Sequence, residues 1–186
     1  MKVLIVYESM FGHTHQLADR IAAGLGAAPS RGADPPEVAV RAAHDVDRAD
    51  VDAADAIVVG GPTHAHGLPR PMTRSSAIDV ARKEDLELDP DAEGDGLREW
   101  FDRLRTVEGR PAAAFDTRYG GPPLLTGRAS RGIARRLRRH GFELAADAES
   151  FVVDKNNELH PGEAERAERW GASLAAAFED RTLAPG

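Results

Sequence analysis

Residues 3–14 read VLIVYESMFGHT and join a short apolar run to a loop of small and polar residues. The apolar run, residues 3–7, is typical of a strand that is buried on both faces of a parallel sheet. Beyond the loop, apolar residues recur at helical spacing over residues 17–25, with charged residues on the opposite side. The stretch therefore predicts a strand, a loop and a helix, in that order.

The same unit recurs along the chain. Buried runs at 56–59, 111–115 and 151–153 and a weaker run at 38–40 predict four further strands. Helical patterns occupy the segments between them, over residues 72–82, 97–104, 126–140 and 167–178, and we interpret 28–36 and 84–96 as loops. Strands that alternate with helices predict an α/β fold with a doubly wound, five-stranded parallel sheet. At 186 residues, we expect one domain, 1–186.

Composition limits the chemistry that the chain can perform. It has no cysteine, which excludes disulfides, thiolate catalysis and iron–sulfur ligation, so any redox chemistry needs a bound cofactor. A net charge of −7 argues against a nucleic-acid partner, because proteins bind nucleic acid with an excess of Lys and Arg that faces the phosphates. No segment approaches the roughly 20 apolar residues that span a bilayer. We therefore expect a soluble, cytoplasmic protein without a membrane partner.

The loop after the first strand has the features of a phosphate site. A helix that starts there presents unpaired backbone N–H groups and a partial positive charge, which can bind a phosphate without Lys or Arg. Ser9 and Thr14 add hydroxyl groups, and Gly12 lets the backbone approach the anion closely. The alternative is an ordinary turn with polar helix caps.

The spacing of these residues resembles the amino-terminal signature of flavodoxins. The matching positions are Ile5, Tyr7, Ser9, Gly12, Thr14, Ala18 and Ile21. The resemblance implies a flavodoxin-like sheet with strand order 2-1-3-4-5 and FMN as the cofactor. It further implies that the loop wraps the ribityl phosphate of FMN, with Ser9, Met10, Phe11, Gly12, His13 and Thr14 as the binding residues.

The resemblance assigns two further loops to the flavin ring. After the third strand, one side of the ring would lie against Pro62, Thr63, His64, His66 and Gly67. Many flavodoxins have an aromatic residue in this loop, whereas this chain has histidines and Leu68. In flavodoxins a glycine-containing peptide of this loop turns over on reduction, and Gly67 is the best match.

After the fourth strand, Asp116, Thr117, Arg118, Tyr119 and Gly120 resemble a second flavin loop of the family. Tyr119 would stack on the ring. Arg118 would either lie near the pyrimidine end of the flavin, where it would favour an anionic reduced form, or be a solvated cation of the loop.

We expect no metal, although two histidine pairs would face the same crevice. His13 and His15, together with His64 and His66, could in principle hold a divalent ion. However, His13 lies at the start of a helix, and residues two apart on a helix point away from each other.

Three functions fit these motifs. The first is an FMN-binding electron-transfer protein that exchanges electrons with redox partner proteins or small molecules. The second is an NAD(P)H-dependent quinone or flavin reductase of the flavodoxin fold, since such enzymes share the Ser-Met-aromatic-Gly-His loop and the Pro62-Thr63 pair. Thr14, and the lack of an evident nicotinamide subsite, favour the carrier. The third is a flavin-free binding domain, because the fold does not fix the function.

Overall fold

The computed structural model describes residues 1–29, 34–64, 67–84, 86–121, 126–154 and 158–182. The strands are β1 (Lys2–Tyr7), β2 (Glu37–Ala42), β3 (Ala56–Pro62), β4 (Pro111–Tyr119), β5 (Glu143–Leu144) and β6 (Glu149–Val153). The helices are α1 (His13–Ala27), α2 (Arg48–Ala53), α3 (Pro71–Glu84), α4 (Leu97–Arg103), α5 (Ala129–Arg139) and α6 (Glu163–Thr182).

The strands form one parallel sheet with the order that the resemblance implied. β1 lies between β2 and β3, and β3 pairs with β4. Two short strands share the fifth position, because β5 pairs with the first residues of β4 and β6 pairs with its last five. The predicted order 2-1-3-4-5 is confirmed. The fifth strand, predicted at 151–153, is longer in the structure (β6), and residues 145–148 separate it from β5.

Helices cover both faces of the sheet, as a doubly wound fold requires. Alternate residues of β1, β3 and β4 pack against α1 and α6 on one face. The remaining residues pack against α2, α4 and α5 on the other face. α1 and α6 cross at two glycines, since a Cβ on Gly24 would lie 1.9 Å from the Glu168 carbonyl oxygen and one on Gly171 would lie 2.2 Å from the Ile21 carbonyl oxygen.

Several predicted boundaries were wrong. β3 continues to Pro62 and β4 to Tyr119, because Pro62 lies opposite Thr117 and Tyr119 opposite Val153. Residues that we predicted as loop therefore form the ends of strands. α5 begins at Ala129, three residues later than predicted, and the short α2 was not predicted at all.

The connection between β3 and α4 is long and carries α3. This helix lies largely exposed, with Met72 76% accessible. It is held by Arg74, whose buried guanidinium pairs with Glu8 at 3.4 Å and Glu99 at 3.0 Å. Within the part of the chain that the structure describes, no helix is both long and apolar enough to cross a membrane.

Candidate functional site

The start of α1 is open to an anion at the carboxyl end of β1. Gly12, the residue before the helix, has a φ of 85°, in the left-handed region that favours glycine. Its N–H donates to Ser9 Oγ at 3.1 Å. Among the described residues no side chain caps α1, and residues 13–16 contain no acid. The N–H groups of the first turn and the partial positive charge of the helix end therefore favour an anion.

A buried pair of hydroxyls joins this loop to β4. Thr14 Oγ1 lies 3.0 Å from Thr117 Oγ1, and both side chains are buried. Met10, a third predicted binding residue, is also buried and packs into the core. The Thr14–Thr117 contact thus joins the first turn of α1 to β4.

A buried polar atom of the loop lacks a partner. His13 Nε2 has no hydrogen-bond partner among the described residues. A buried polar group without a partner is costly, and a ligand bound at this helix start would supply one.

Thr63 faces the protein interior. Its N–H donates to the Thr117 carbonyl oxygen at 2.7 Å. The Thr63 hydroxyl donates to Asp116 Oδ2 at 3.1 Å and accepts the Ala129 N–H at 2.9 Å. These bonds join β3, β4 and the start of α5 through the Thr63 side chain. The Thr63 backbone directly follows the carboxyl end of β3.

His64 and Gly67 close a tight turn after β3. The His64 N–H donates to the Gly67 carbonyl oxygen at 2.8 Å, and the Gly67 N–H donates to the His64 carbonyl oxygen at 2.9 Å. Gly67 does not adopt positive φ. Burial lowers the pKa of His64, so its ring is neutral at neutral pH. His66 lies outside the described residues.

Asp116 faces α5 and not the phosphate loop. Its buried carboxylate accepts the Ser130 N–H at 2.7 Å through Oδ2, which caps the start of the helix. Asp116 Oδ1 and Ser130 Oγ are buried and have no hydrogen-bond partner among the described residues. Because side chains alternate along a strand, Asp116 and Thr117 lie on opposite faces of the sheet.

Arg118 folds back onto its own loop. Its Nη1 group donates to the Gly121 carbonyl oxygen at 2.9 Å and to Thr126 Oγ1 at 3.2 Å. Tyr119, the last residue of β4, is 53% exposed. Gly120 directly follows β4, and its N–H donates to the Val153 carbonyl oxygen at 3.3 Å. Among the described residues, Tyr119 is thus the exposed aromatic side chain at the carboxyl end of β4.

Two acidic residues that the sequence reasoning missed lie beside the phosphate loop. The Asp89 N–H donates to the Met10 carbonyl oxygen at 2.9 Å, which fixes the 86–96 segment against the loop. Asp89 Oδ2 lies 3.3 Å from His15 Nδ1. A Cβ built on Gly12 would lie 4.0 Å from the same oxygen. In the sequence, these two acids appear only as an Asp-Pro-Asp triplet within an acidic run, more than 70 residues from the loop beside which they lie.

Tyr7 connects the second of these acids to His15. The Tyr7 hydroxyl donates to Asp91 Oδ2 at 2.6 Å, and its ring stacks on His15 with centroids 4.3 Å apart. Burial and the Asp91 carboxylate raise the pKa of Tyr7 far above its usual range, so its phenol stays protonated.

Comparisons with known proteins agree with this geometry. Residues 4–74, which include β1, the phosphate loop, α1 and β3, match the family model of the flavodoxin domain. A solved flavodoxin from the domain Archaea superposes with a TM-score of 0.65 at 21% identity, covering 96% of this chain and 99% of that one. The chain is flavodoxin-like.

Two further solved structures resemble this flavodoxin-like chain. Oxidised Flavodoxin 1 from Bacillus cereus has a TM-score of 0.64 at 19% identity, covering 97% of this chain and 98% of that one. Rubredoxin oxygen:oxidoreductase from Desulfovibrio gigas has a TM-score of 0.56 at 17% identity, covering 98% of this chain but 37% of that one. At these identities the likeness establishes the fold. No curated protein sequence matches the chain.

The described residues of the flavodoxin-like site fit a phosphate-bearing flavin. The uncapped start of α1 and the partnerless His13 Nε2 suit a phosphate, and the exposed Tyr119 suits a ring. Most of the predicted residues lie at the carboxyl ends of β1, β3 and β4, namely Ser9, Phe11, Gly12, His13, Thr14, Pro62, His64, Gly67, Thr117, Tyr119 and Gly120. Met10 packs into the core, and the side chains of Thr63, Asp116 and Arg118 bind neighbouring protein groups.

Proposed function

We propose that this chain binds FMN and transfers electrons. The observation that carries the proposal is the uncapped amino terminus of α1, which Gly12 introduces in a left-handed conformation at the carboxyl end of β1. Ligands of open α/β sheets bind outside the carboxyl ends of the strands, where the strand order reverses. In this sheet that position is between β1 and β3.

The residues of the loop would hold the phosphate. Backbone N–H groups of the first turn of α1 would donate to the phosphate oxygens. The Thr14 hydroxyl can donate to the phosphate while it accepts the Thr117 hydroxyl hydrogen, since a hydroxyl both donates and accepts. His13 Nε2 would gain a partner there, as would the Ser9 hydroxyl hydrogen.

Residues after β3 and β4 would hold the ring. Tyr119 has the exposure needed to cover one face of the flavin. The turn of His64 and Gly67 would lie along the ring and keep water from it. FMN, when bound, supplies the electron-accepting chemistry, and the protein sets its position and surroundings.

The electron partners that we propose are redox proteins or small molecules. We also propose that residues 1–186 form one domain and that the protein acts in the cytoplasm. Oxidoreductase chemistry would follow from this role, because electron exchange needs a donor and an acceptor.

Calorimetric titration of the purified protein with FMN and with riboflavin tests the proposal. The two ligands share the ring and differ in the phosphate, so they form a matched pair. We expect FMN to bind at least about a hundredfold more tightly, about 2.7 kcal/mol. Inorganic phosphate should compete with FMN and leave riboflavin binding unchanged. Equal affinity for the two flavins would contradict the phosphate site, and no binding of either would favour a flavin-free domain.

A second measurement separates the carrier from the reductase. Under anaerobic conditions, NADH or NADPH is added alone to the FMN-loaded protein and the flavin absorbance is followed. A carrier should keep its yellow colour until a reductase or dithionite is added. Rapid bleaching by the nicotinamide alone would favour the NAD(P)H-dependent reductase.

A further inference from the structure

His15, Asp89 and Asp91 bring three metal-ligating atoms together beside the phosphate loop. His15 Nδ1 and one oxygen of each carboxylate lie within 4.8 Å of one another. The atoms come from α1 and from the 86–96 segment, which the Asp89–Met10 backbone bond fixes in place. None of the three residues belongs to the set that we propose for FMN.

The two carboxylates have no arginine or lysine partner among the described residues. The Asp89 side chain is 1% exposed and Asp91 is 25% exposed. Glu8, another buried carboxylate, pairs with Arg74 and accepts the Leu97 N–H. Asp89 Oδ1 accepts the Asp91 N–H at 2.9 Å, and Asp89 Oδ2 contacts His15 Nδ1 at 3.3 Å. Burying a carboxylate without a permanently charged partner is costly. The Asp89–Asp91 pair therefore lacks the fixed positive charge that Glu8 has.

The neighbours of the cluster orient its ligand atoms. Tyr7 holds Asp91 through Oδ2 and stacks on the His15 ring. His44 Nε2 lies 3.7 Å from Asp91 Oδ1 and 3.5 Å from Asp45 Oδ1, so a second group of ligand atoms shares Asp91. Outer residues that orient metal ligands in this way are a regular feature of metal sites.

The distance between His15 Nδ1 and Asp89 Oδ2 suits a small divalent ion. Ligand atoms that are each about 2.1 Å from a tetrahedral ion lie about 3.4 Å apart. His15 Nδ1 and Asp89 Oδ2 are 3.3 Å apart. One imidazole and two carboxylates also form a ligand set that zinc accepts, with water as the remaining ligand.

We propose that His15, Asp89 and Asp91 bind a divalent transition-metal ion such as Zn²⁺. The ion would supply a fixed positive charge to the buried Asp89 carboxylate and to the half-buried Asp91 carboxylate. This site differs from the four-histidine site considered from the sequence, because only His15 belongs to both. It does not depend on FMN.

Zn²⁺ titration of the full chain, without FMN, tests the site by calorimetry. We expect one ion per chain. Asp89→Asn and His15→Asn should each weaken Zn²⁺ affinity by at least about tenfold, because loss of a direct ligand costs no less than loss of an outer residue, which costs about ten- to a hundredfold. Glu93→Gln, in the same segment but paired with Arg82, is the matched acidic control, and His160→Asn is the histidine control. Both controls should retain the wild-type affinity.

Co²⁺ provides a readout on the wild-type chain, which remains valid if a variant fails to fold. A nitrogen and oxygen site of low coordination number should give visible absorption bands that Zn²⁺ removes. Failure of the wild-type chain to bind Zn²⁺ stoichiometrically would overturn the site. Wild-type affinity in folded Asp89→Asn and His15→Asn variants would also overturn it. Because no flavin is present, neither result bears on the proposed FMN function.

Discussion

Gly12 gives the phosphate loop its shape at the scale of single residues. Its φ of 85° allows the chain to turn from β1 into α1, and its own N–H is satisfied by Ser9. A residue with a Cβ would be strained there. The N–H groups of the first turn have no partner within the helix, so backbone groups can replace a Lys or Arg at this site.

Thr14→Val should weaken FMN binding by about ten- to a hundredfold, or roughly 1.5–3 kcal/mol, the range for a hydrogen bond to a charged group. The change removes the hydroxyl and leaves Thr117 Oγ1 without this partner. Thr14→Ser keeps the hydroxyl and is the control, with an expected loss of less than threefold. Calorimetry measures both. An affinity that is unchanged in Thr14→Val would remove Thr14 from the phosphate site.

Tyr119→Ala should weaken FMN binding about two- to tenfold and increase the fluorescence of the bound flavin. The reason is that aromatic stacking contributes about 0.5–1.5 kcal/mol beyond area burial. Because Tyr119 is 53% exposed without FMN, its removal should leave folding stability nearly unchanged. Tyr119→Phe preserves the ring and should behave as wild type. Equal fluorescence in all three proteins would show that another residue covers the flavin.

At the scale of elements, β3 carries two glycines just before its last residue, Pro62, and both lie against neighbouring side chains. A Cβ on Gly60 would lie 2.0 Å from Phe115 Cζ on β4. The Phe115 ring is fully buried and packs near Phe151 and Trp170, so it has little room to move. The glycine therefore allows a large aromatic residue on β4 to fill the core beneath the site.

Gly60→Ala should lower the free energy of unfolding by about 1–3 kcal/mol, as overpacking does in a dense core. Gly67→Ala is the matched control, because a Cβ at Gly67 meets no described atom within 4 Å. Urea unfolding followed by circular dichroism compares the two variants. If Gly60→Ala is as stable as Gly67→Ala, Phe115 does not lie against β3 as described.

α6 is joined to β6 by a network around Arg166. Its guanidinium pairs with Glu149 and Glu163 and lies over the Phe151 ring at 4.3 Å. Glu163 also accepts the Val152 N–H at 2.7 Å. Burial alone would raise the pKa of Glu163, but Arg166 and the Val152 N–H hold that pKa below its usual value.

Glu163→Gln should lower the free energy of unfolding by about 1–2 kcal/mol at pH 7. Because the folded state lowers this pKa, the charged Glu163 stabilises the wild type above about pH 4.3, and this stabilisation is lost as the pH falls through the lower folded value. The difference between variant and wild type should therefore shrink below pH 4. Glu165→Gln, exposed in the same first turn, should have little effect. Urea unfolding from pH 3 to 7 measures this, and a difference independent of pH would contradict it.

At the scale of the whole molecule, the long β3–α4 connection returns to the start of the chain. Its 86–96 segment places the Asp89 carboxylate near Gly12, beside the loop that favours an anion. A buried negative charge at that position opposes phosphate binding, unless a cation compensates for it. The 86–96 segment can thus set the affinity of the site, although it contributes no proposed FMN ligand.

Asp89→Asn should tighten FMN binding several-fold when EDTA is present, because it removes a buried charge beside the phosphate. Riboflavin affinity should not change, which separates charge repulsion from a shift of the loop. Glu93→Gln, an exposed charge of the same segment, is the control and should have no effect on FMN affinity. Weaker FMN binding in Asp89→Asn would indicate that Asp89 supports the loop mainly through its fixed position.

The sequence alone determined the layers of this protein and one of its loops. Buried runs and helical stripes depend on local periodicity, so β1, β3, β4 and the helices other than the short α2 could be predicted within a few residues. The spacing of Ser9, Gly12 and Thr14 could be recognised because a turn between strand and helix is a local structure.

Only the tertiary structure decided where these elements end and what lies beside the loop. Pro62 and Tyr119 belong to strands because neighbouring strands pair with them. Thr63 and Asp116 bind the start of α5, which lies distant in sequence. Asp89 comes within 3.3 Å of His15 from 74 positions away. Such contacts depend on how the sheet and the connection pack, and packing between distant segments leaves no periodic signal in the sequence.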